Sequence, residues 1–287
     1  MTPRKILCPI DFSSGSHHAF RVAARLASEL NAKLELVHAW HLPAMASGGE
    51  YPLPAEAIQG MVDDAERGLT DTLAEAKKLG VEHVSSQLVS GPPWERIIEL
   101  ASARDLIVMG THGRTGISRF LLGSVAEKVV RHAPCSVLVA RPHGEPAAFQ
   151  HILVPVDFSE PSRRALDEAG DIASRTGARV TLLHVLELPA IYRGQPPADF
   201  VQDIDQRAST QLDDWGELVE QKTRAKVERI VRTGVAPAQV LSVIAEDPSV
   251  DLVVVGSHGR TGMKRLVLGS VAEKLVRHAG LPVLVAR

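Results

Sequence analysis

The chain has almost no net charge, few cysteines and no long apolar run. Its 32 Lys and Arg against 34 Asp and Glu leave a formal charge of -2 over 287 residues. No large field gathers polyanions, so neither nucleic acid nor a membrane surface is expected as a main partner. Two cysteines cannot make a disulfide framework. No stretch approaches the roughly 18 apolar residues of a membrane span, and the apolar part of Met1 to Ile10 is too short for a secretory signal. A cytoplasmic location is the expectation. The twelve histidines show neither His-x-x-x-His nor Cys-x-x-Cys spacing on a helix, so no protein-built metal site is expected. Gly-x-x-x-x-Gly-Lys-(Ser/Thr) is absent, as is Gly-x-Gly-x-x-Gly after the first strand, which disfavours a P-loop NTPase or a dinucleotide dehydrogenase. Gly-x-Ser-x-Gly is absent too, and with it the nucleophile turn of the α/β-hydrolases.

What the chain does have is itself twice. A shift of 146 residues lays Ile6-Leu-Cys-Pro-Ile-Asp-Phe-Ser13 on Ile152-Leu-Val-Pro-Val-Asp-Phe-Ser159. The same shift lays Gly110-Thr-His-Gly-Arg-Thr-Gly116 on Gly256-Ser-His-Gly-Arg-Thr-Gly262, and Gly123-Ser-Val-Ala-Glu-Lys128 on Gly269-Ser-Val-Ala-Glu-Lys274. A period of this length is a whole domain, not a solenoid unit. Two domains are therefore expected, over 1–142 and 148–287, joined by the Pro- and Gly-containing segment Pro142 to Ala148. The repeat also tests the cysteines: Cys8 falls on Val154 and Cys135 on Leu281, so both read as small hydrophobes.

Within the first copy, a short apolar run from Lys5 to Ile10 precedes Asp11-Phe-Ser13, and Ala19, Val22, Ala23, Leu26, Ala27 and Leu30 then recur at helical spacing. A strand over Lys33 to His38, a long loop over residues 43 to 54 and a helix from about Ala55 to Leu79 follow. His83 to Val89 reads as a strand, Pro92 to Ala103 as a helix with proline in its first turn, and Leu106 to Met109 as a fully buried strand. Ser124 to Arg131 is the last helix and Val137 to Val139 the fifth strand. Strands alternating with helices imply right-handed crossovers and a parallel sheet covered on both faces. The expected fold is α/β: two tandem doubly wound domains, each with a five-stranded parallel sheet in the order 3-2-1-4-5. That order brings Asp11 beside Gly110, at the switch point where such sheets hold ligands.

The chemistry concentrates after strands one and four. Gly110-x-x-Gly113 follows a buried strand, and after nine more residues Gly123-Ser124 opens a helix; Gly256, Gly259, Gly269 and Ser270 repeat the arrangement. Glycines let backbone N–H groups approach an anion, and a helix start offers unpaired N–H groups and the positive end of the dipole. Phosphate fits such a turn. The rival reading is structural, because Ser124-Val-Ala-Glu127 and Ser270-Val-Ala-Glu273 each match a capping box. Asp11 and Asp157 either face a ligand or cap the helices behind them. His112 and His258 suit positioning rather than acid–base work, and Arg114 and Arg260 either reach a terminal phosphate or are solvated. His38 and His184, ending second strands, read as satisfied structural histidines. Arg131-His132 and Arg277-His278 complement the dipole at a helix end.

These residues closely resemble the universal stress protein family over nearly the whole chain, in its tandem form. Gly-x2-Gly-x9-Gly-(Ser/Thr), the signature of that family's ATP-binding branch, stands here twice, each time with the Pro-x-Asp of the first strand. The resemblance implies ATP at the switch point, with Mg2+ carried on its phosphates. Asp11 and Asp157 would lie near the base, the carbonyls of Pro9 and Pro155 near the ribose, and the main chain of Ala39 and Val185 near the adenine. Met109, Gly110, His112, Gly113, Gly123, Ser124 and Val125 would line ribose and phosphates. Val255, Gly256, His258, Gly259, Gly269, Ser270 and Val271 would do so in the second copy. It further implies pairing of the fifth strands within the chain, an unidentified protein partner, and room for a homodimer. With no evident base for water and no phosphoryl clamp, a nucleotide-dependent stress sensor or adaptor is expected rather than a fast catalyst. A slow ATPase or nucleotidyl-transferring enzyme is the alternative.

Overall fold

A computed structural model of the chain describes residues 5–41, 53–103, 105–111, 122–141, 149–187, 197–223, 225–259 and 268–287. Backbone contacts divide it into two compact units that meet between Ala147 and Ala148. The expected linker Pro142 to Ala148 and most of the expected long loop of residues 43 to 54 lie outside the described residues.

The first unit runs β1 (Lys5–Pro9), α1 (Ser14–Leu30), β2 (Lys33–Trp40), α2 (Ala55–Lys78), β3 (Val84–Ser90), α3 (Pro93–Ala101), β4 (Leu106–Gly110), α4 (Ser124–His132) and β5 (Ser136–Ala140). β1 pairs in parallel with β2 and β4, β2 with β3, and β4 with β5, giving the order β3-β2-β1-β4-β5. The apolar runs become strands because both sheet faces are covered: Ile6, Leu7, Leu36, Ile107 and Val108 are fully buried. Each such side chain contributes about 1.5–3 kcal/mol of burial. α3 and α4 pack against one another, while α1 lies along β1 and β4. The α1 stripe of Ala19, Phe20, Ala23, Leu26 and Ala27 faces the sheet, and the helix stops at Asn31, which takes the left-handed conformation (φ 50).

The second unit repeats the plan: β6 (His151–Val156), α5 (Glu160–Thr176), β7 (Arg179–Leu186), α6 (Ala198–Thr223), β8 (Val227–Thr233), α7 (Ala236–Glu246), β9 (Leu252–Gly256), α8 (Ser270–His278) and β10 (Val283–Ala286). β6 pairs in parallel with β7 and β9, β7 with β8, and β9 with β10. α5 packs on α6, and α7 on α8. Gly177, at φ 74, ends α5 where Asn31 ends α1.

At the amino edge of its sheet the second unit departs from the first. His151, only 2% exposed, stands where the first copy has Lys5. Its Nε2 lies 2.8 Å from Thr181 Oγ1, and Arg179 Nη2 donates to its Nδ1 at 2.9 Å. Ser249 Oγ lies 3.0 Å from the same Nδ1. An imidazole that accepts from a guanidinium at Nδ1 and donates at Nε2 is neutral. Thr181 can accept that proton because its own hydroxyl donates to Glu228 Oε2 at 3.2 Å.

Candidate functional site

The carboxyl ends of β1 and β4 lie side by side, and the first strand's aspartate sits in the turn between β1 and α1. Asp11 Oδ1 accepts from Ser13 N (3.0 Å) and from Ser13 Oγ (2.6 Å), and Ser13 Oγ in turn accepts from Ser16 N (3.2 Å). The cap of α1 is therefore Ser13, not Asp11. The second unit repeats these contacts: Asp157 Oδ1 accepts from Ser159 N (3.1 Å) and Oγ (2.5 Å), and Ser159 caps α5. The aspartate as cap is thus corrected in both copies. Its first oxygen orders the serine that does the capping.

The residue after each aspartate is strained. Phe12 and Phe158 both have φ of 62, the left-handed region that a bulky L-residue enters at about 1–3 kcal/mol. Each ring stacks on the histidine near the end of the neighbouring strand, Phe12 on His38 (4.7 Å between centroids) and Phe158 on His184 (4.5 Å). His38 Nδ1 lies 2.6 Å from the Ile10 carbonyl, and His184 Nδ1 lies 2.8 Å from that of Val156.

Gly110 and Gly256 are also required by packing. A Cβ on Gly110 would stand 2.8 Å from the Gly15 carbonyl oxygen, and one on Gly256 would stand 2.7 Å from that of Pro161. These glycines admit the first turn of the helix behind the aspartate, so each allows close packing of helix on strand.

The capping boxes do not form. α4 and α8 are capped by Gly123 and Gly269, in extended conformation and with no side-chain cap bond; Ser124 and Ser270 are already the first helical residues. Glu127 pairs with Arg131 (3.3 Å) and Glu273 with Arg277 (3.2 Å), one turn further along. The N–H groups of the two cap glycines are not free donors either: Gly123 N donates to the Thr111 carbonyl and Gly269 N to the Ser257 carbonyl, both at 2.8 Å. Those bonds dock each helix start against the end of the preceding strand. The first intrahelical bond comes from Glu127 N to the Gly123 carbonyl. The N–H groups of Ser124, Val125 and Ala126 therefore have no partner within the helix, and among the described residues no side chain caps them.

In the first unit these parts enclose a cleft of about 220 Å³. Pro9, Asp11, Ala39, Met109, Gly110, Gly123, Ser124 and Val125 line it, together with Ile10, Ser16, Val37, Pro93, Ile97, Thr111 and Ala126. Its lining combines apolar walls with the Asp11 carboxylate and the uncapped start of α4. Pro93 and Ile97 come from α3, an element given no site role by the sequence; their signal was a proline-started helix directly after the third strand.

In the second unit Pro155 and Val185 lie on β6 and β7, and Val255 and Gly256 end β9. A Cβ on Gly259 would stand 2.8 Å from Asp157 Oδ2, and one on Gly269 would stand 3.2 Å from the Cα of His258. The aspartate, the glycine turn and the start of α8, with Ser270 and Val271, are thus contiguous. His258 Nδ1 lies 2.9 Å from Ser257 Oγ, a contact within the turn itself. His112, Gly113, Arg114 and Arg260 lie outside the described residues.

The sequence profile of the universal stress protein family matches the chain twice, over residues 2–141 and 148–287. A universal stress protein of Mycobacterium tuberculosis is 31% identical over 306 residues, covering 99% of this chain and 98% of that protein. One from Mycolicibacterium smegmatis is 30% identical over 301 residues, covering 98% and 96%. The crystal structure of a universal stress protein from Archaeoglobus fulgidus superposes with a TM-score of 0.74 at 21% identity, covering 99% of this chain and 98% of that one, a likeness of fold.

Proposed function

The chain belongs to the universal stress protein family, and we propose that it is an adenine-nucleotide-binding member with one site per half, acting as a sensor or adaptor rather than a fast catalyst. The observation that carries this reading is the cleft at the first unit's switch point. A flat apolar base fits between Pro9, Val37, Ala39, Ile97 and Met109. Asp11 lines the same cleft, where a carboxylate accepts from a base's amino group. Polyphosphate belongs at the start of α4, where Ser124, Val125 and Ala126 present unpaired N–H groups and the helix dipole.

Mg2+ would come on the phosphates. The sensor reading follows from what this arrangement supplies: donors and walls that hold a nucleotide and change the protein's surface when it is present. No helix among the described residues is long and apolar enough to cross a membrane.

The test is thermal. ATP at about 100 times its dissociation constant should stabilise each half by about 2.7 kcal/mol, a rise in melting temperature of roughly 5–10 °C for units of this size. Titration calorimetry should count two nucleotides per chain. A melting curve that saturating ATP leaves in place, with no nucleotide in the purified protein by mass spectrometry, overturns the proposal.

A further inference from the structure

Each candidate site contains a histidine that touches the residues on both sides of the aspartate, the backbone of one and the ring of the other. His38 Nδ1 lies 2.6 Å from the carbonyl of Ile10, the residue before Asp11, and its ring lies against Phe12, the residue after it. His184 does the same around Asp157, at 2.8 Å from the Val156 carbonyl and with its ring on Phe158. A carbonyl only accepts, so in both copies Nδ1 carries the proton.

These contacts fall where the strand ladder gives out. Ile10 N still donates to the Val37 carbonyl (2.8 Å), but the Ile10 carbonyl takes its bond from a side chain. One residue later the chain turns left-handed at Phe12, and the same turn occurs at Phe158. Each phenyl ring also meets a helix. Phe12 lies so close to Gly68 of α2 that a Cβ there would stand 2.6 Å from the ring, and Phe158 meets Trp215 of α6 edge-on at 5.3 Å. A left-handed phenylalanine persists only where its surroundings fix it, and here the histidine supplies part of that fixation. The same bracket recurs in two copies whose helix-side partners differ, glycine in one and tryptophan in the other.

We propose that His38 and His184 are positioning residues for nucleotide binding, each fixing its neighbouring aspartate at the candidate site by holding the carbonyl before it and the ring after it. The inference rests on the nucleotide-binding reading above.

The test uses the full chain. His38→Ala should weaken ATP at the first site about three- to tenfold, the worth of one hydrogen bond, and leave the second site unchanged. His184→Ala should do the converse. His38→Asn, which returns an N–H donor at similar reach, should recover most of the loss. A purely structural histidine would lower the melting temperature without moving the affinity of the folded protein. A folded His38→Ala chain that binds ATP like the parent overturns the proposal. Should the alanine variants not fold, 15N NMR of the parent's imidazoles decides: both histidines must show the Nδ1–H tautomer, and Nε2–H in either refutes it. If the parent itself binds no nucleotide, the functional reading has failed and this inference falls with it, an outcome distinct from a parent that binds and a variant that binds equally.

Discussion

Mild acid should loosen the second unit through one side chain. His151 is buried and neutral, with Nδ1 accepting from Arg179 and Nε2 against Thr181. Burial first, then the Arg179 guanidinium, hold its pKa below the usual histidine value, while Asp247, Asp251 and Glu228 pull the other way. The folded state therefore binds the proton less readily than the unfolded chain. Stability from this group is complete above the unfolded value of about 6.5 and is lost as the pH falls from there toward the folded value. The slope cannot exceed one proton, so between pH 7.5 and 5.5 the loss is at most about 1.4 kcal/mol, or roughly 4–6 °C in melting temperature for a unit of this size. The carboxylates with lowered pKa values, Asp171, Glu220, Glu246 and Asp247, owe their shifts to partners that matter only at lower pH. Of the three tryptophans only Trp215 lies in the second unit, so its fluorescence follows that unit's unfolding. His151→Gln should flatten the acid slope, since glutamine does not titrate. A His151→Gln chain that loses stability between pH 7.5 and 5.5 as steeply as the parent would refute the reasoning.

Two substitutions probe the rest of the frame. Gly256→Ala should cost about 1–3 kcal/mol by denaturant unfolding, because its new methyl would meet backbone of Pro161 at 2.7 Å and Ser162 at 2.9 Å; an unchanged midpoint would show that the approach of helix to strand is slack. Asp11→Asn keeps one oxygen for Ser13 but removes the charge, so it should weaken ATP at the first site about tenfold by calorimetry while the apo melting temperature moves by under about 2 °C. Unaltered affinity there would remove the aspartate from the site.

The alternation of buried strands and stripes of Ala and Leu was readable because a parallel sheet hides both faces, and the repeat supplied a second reading of every element. The partners of particular atoms were not readable. Ser124-x-x-Glu127 has the letters of a capping box, yet the helix starts one residue earlier on Gly123, whose N–H docks on Thr111; the letters do not say which residue the preceding strand will bind. Gly110 was legible as a place where Cβ is forbidden, but the intruder is Gly15, almost a hundred residues away in sequence. His38 could be placed at a strand end without hint that Phe12 and Ile10 would meet it. The side chains around His151 are not repeated in the first copy, where Lys5, Lys33 and Glu35 stand at the positions of His151, Arg179 and Thr181, so the duplication that revealed so much was silent there.

A glycine at the start of α4 leaves that helix with its first turn incomplete, and the consequence reaches beyond affinity. If an anion supplies the missing acceptors, the ligand becomes a piece of the protein's own secondary structure. Amide exchange at residues 124 to 126 would then register occupancy directly, slow when the turn is finished and quick when it is frayed.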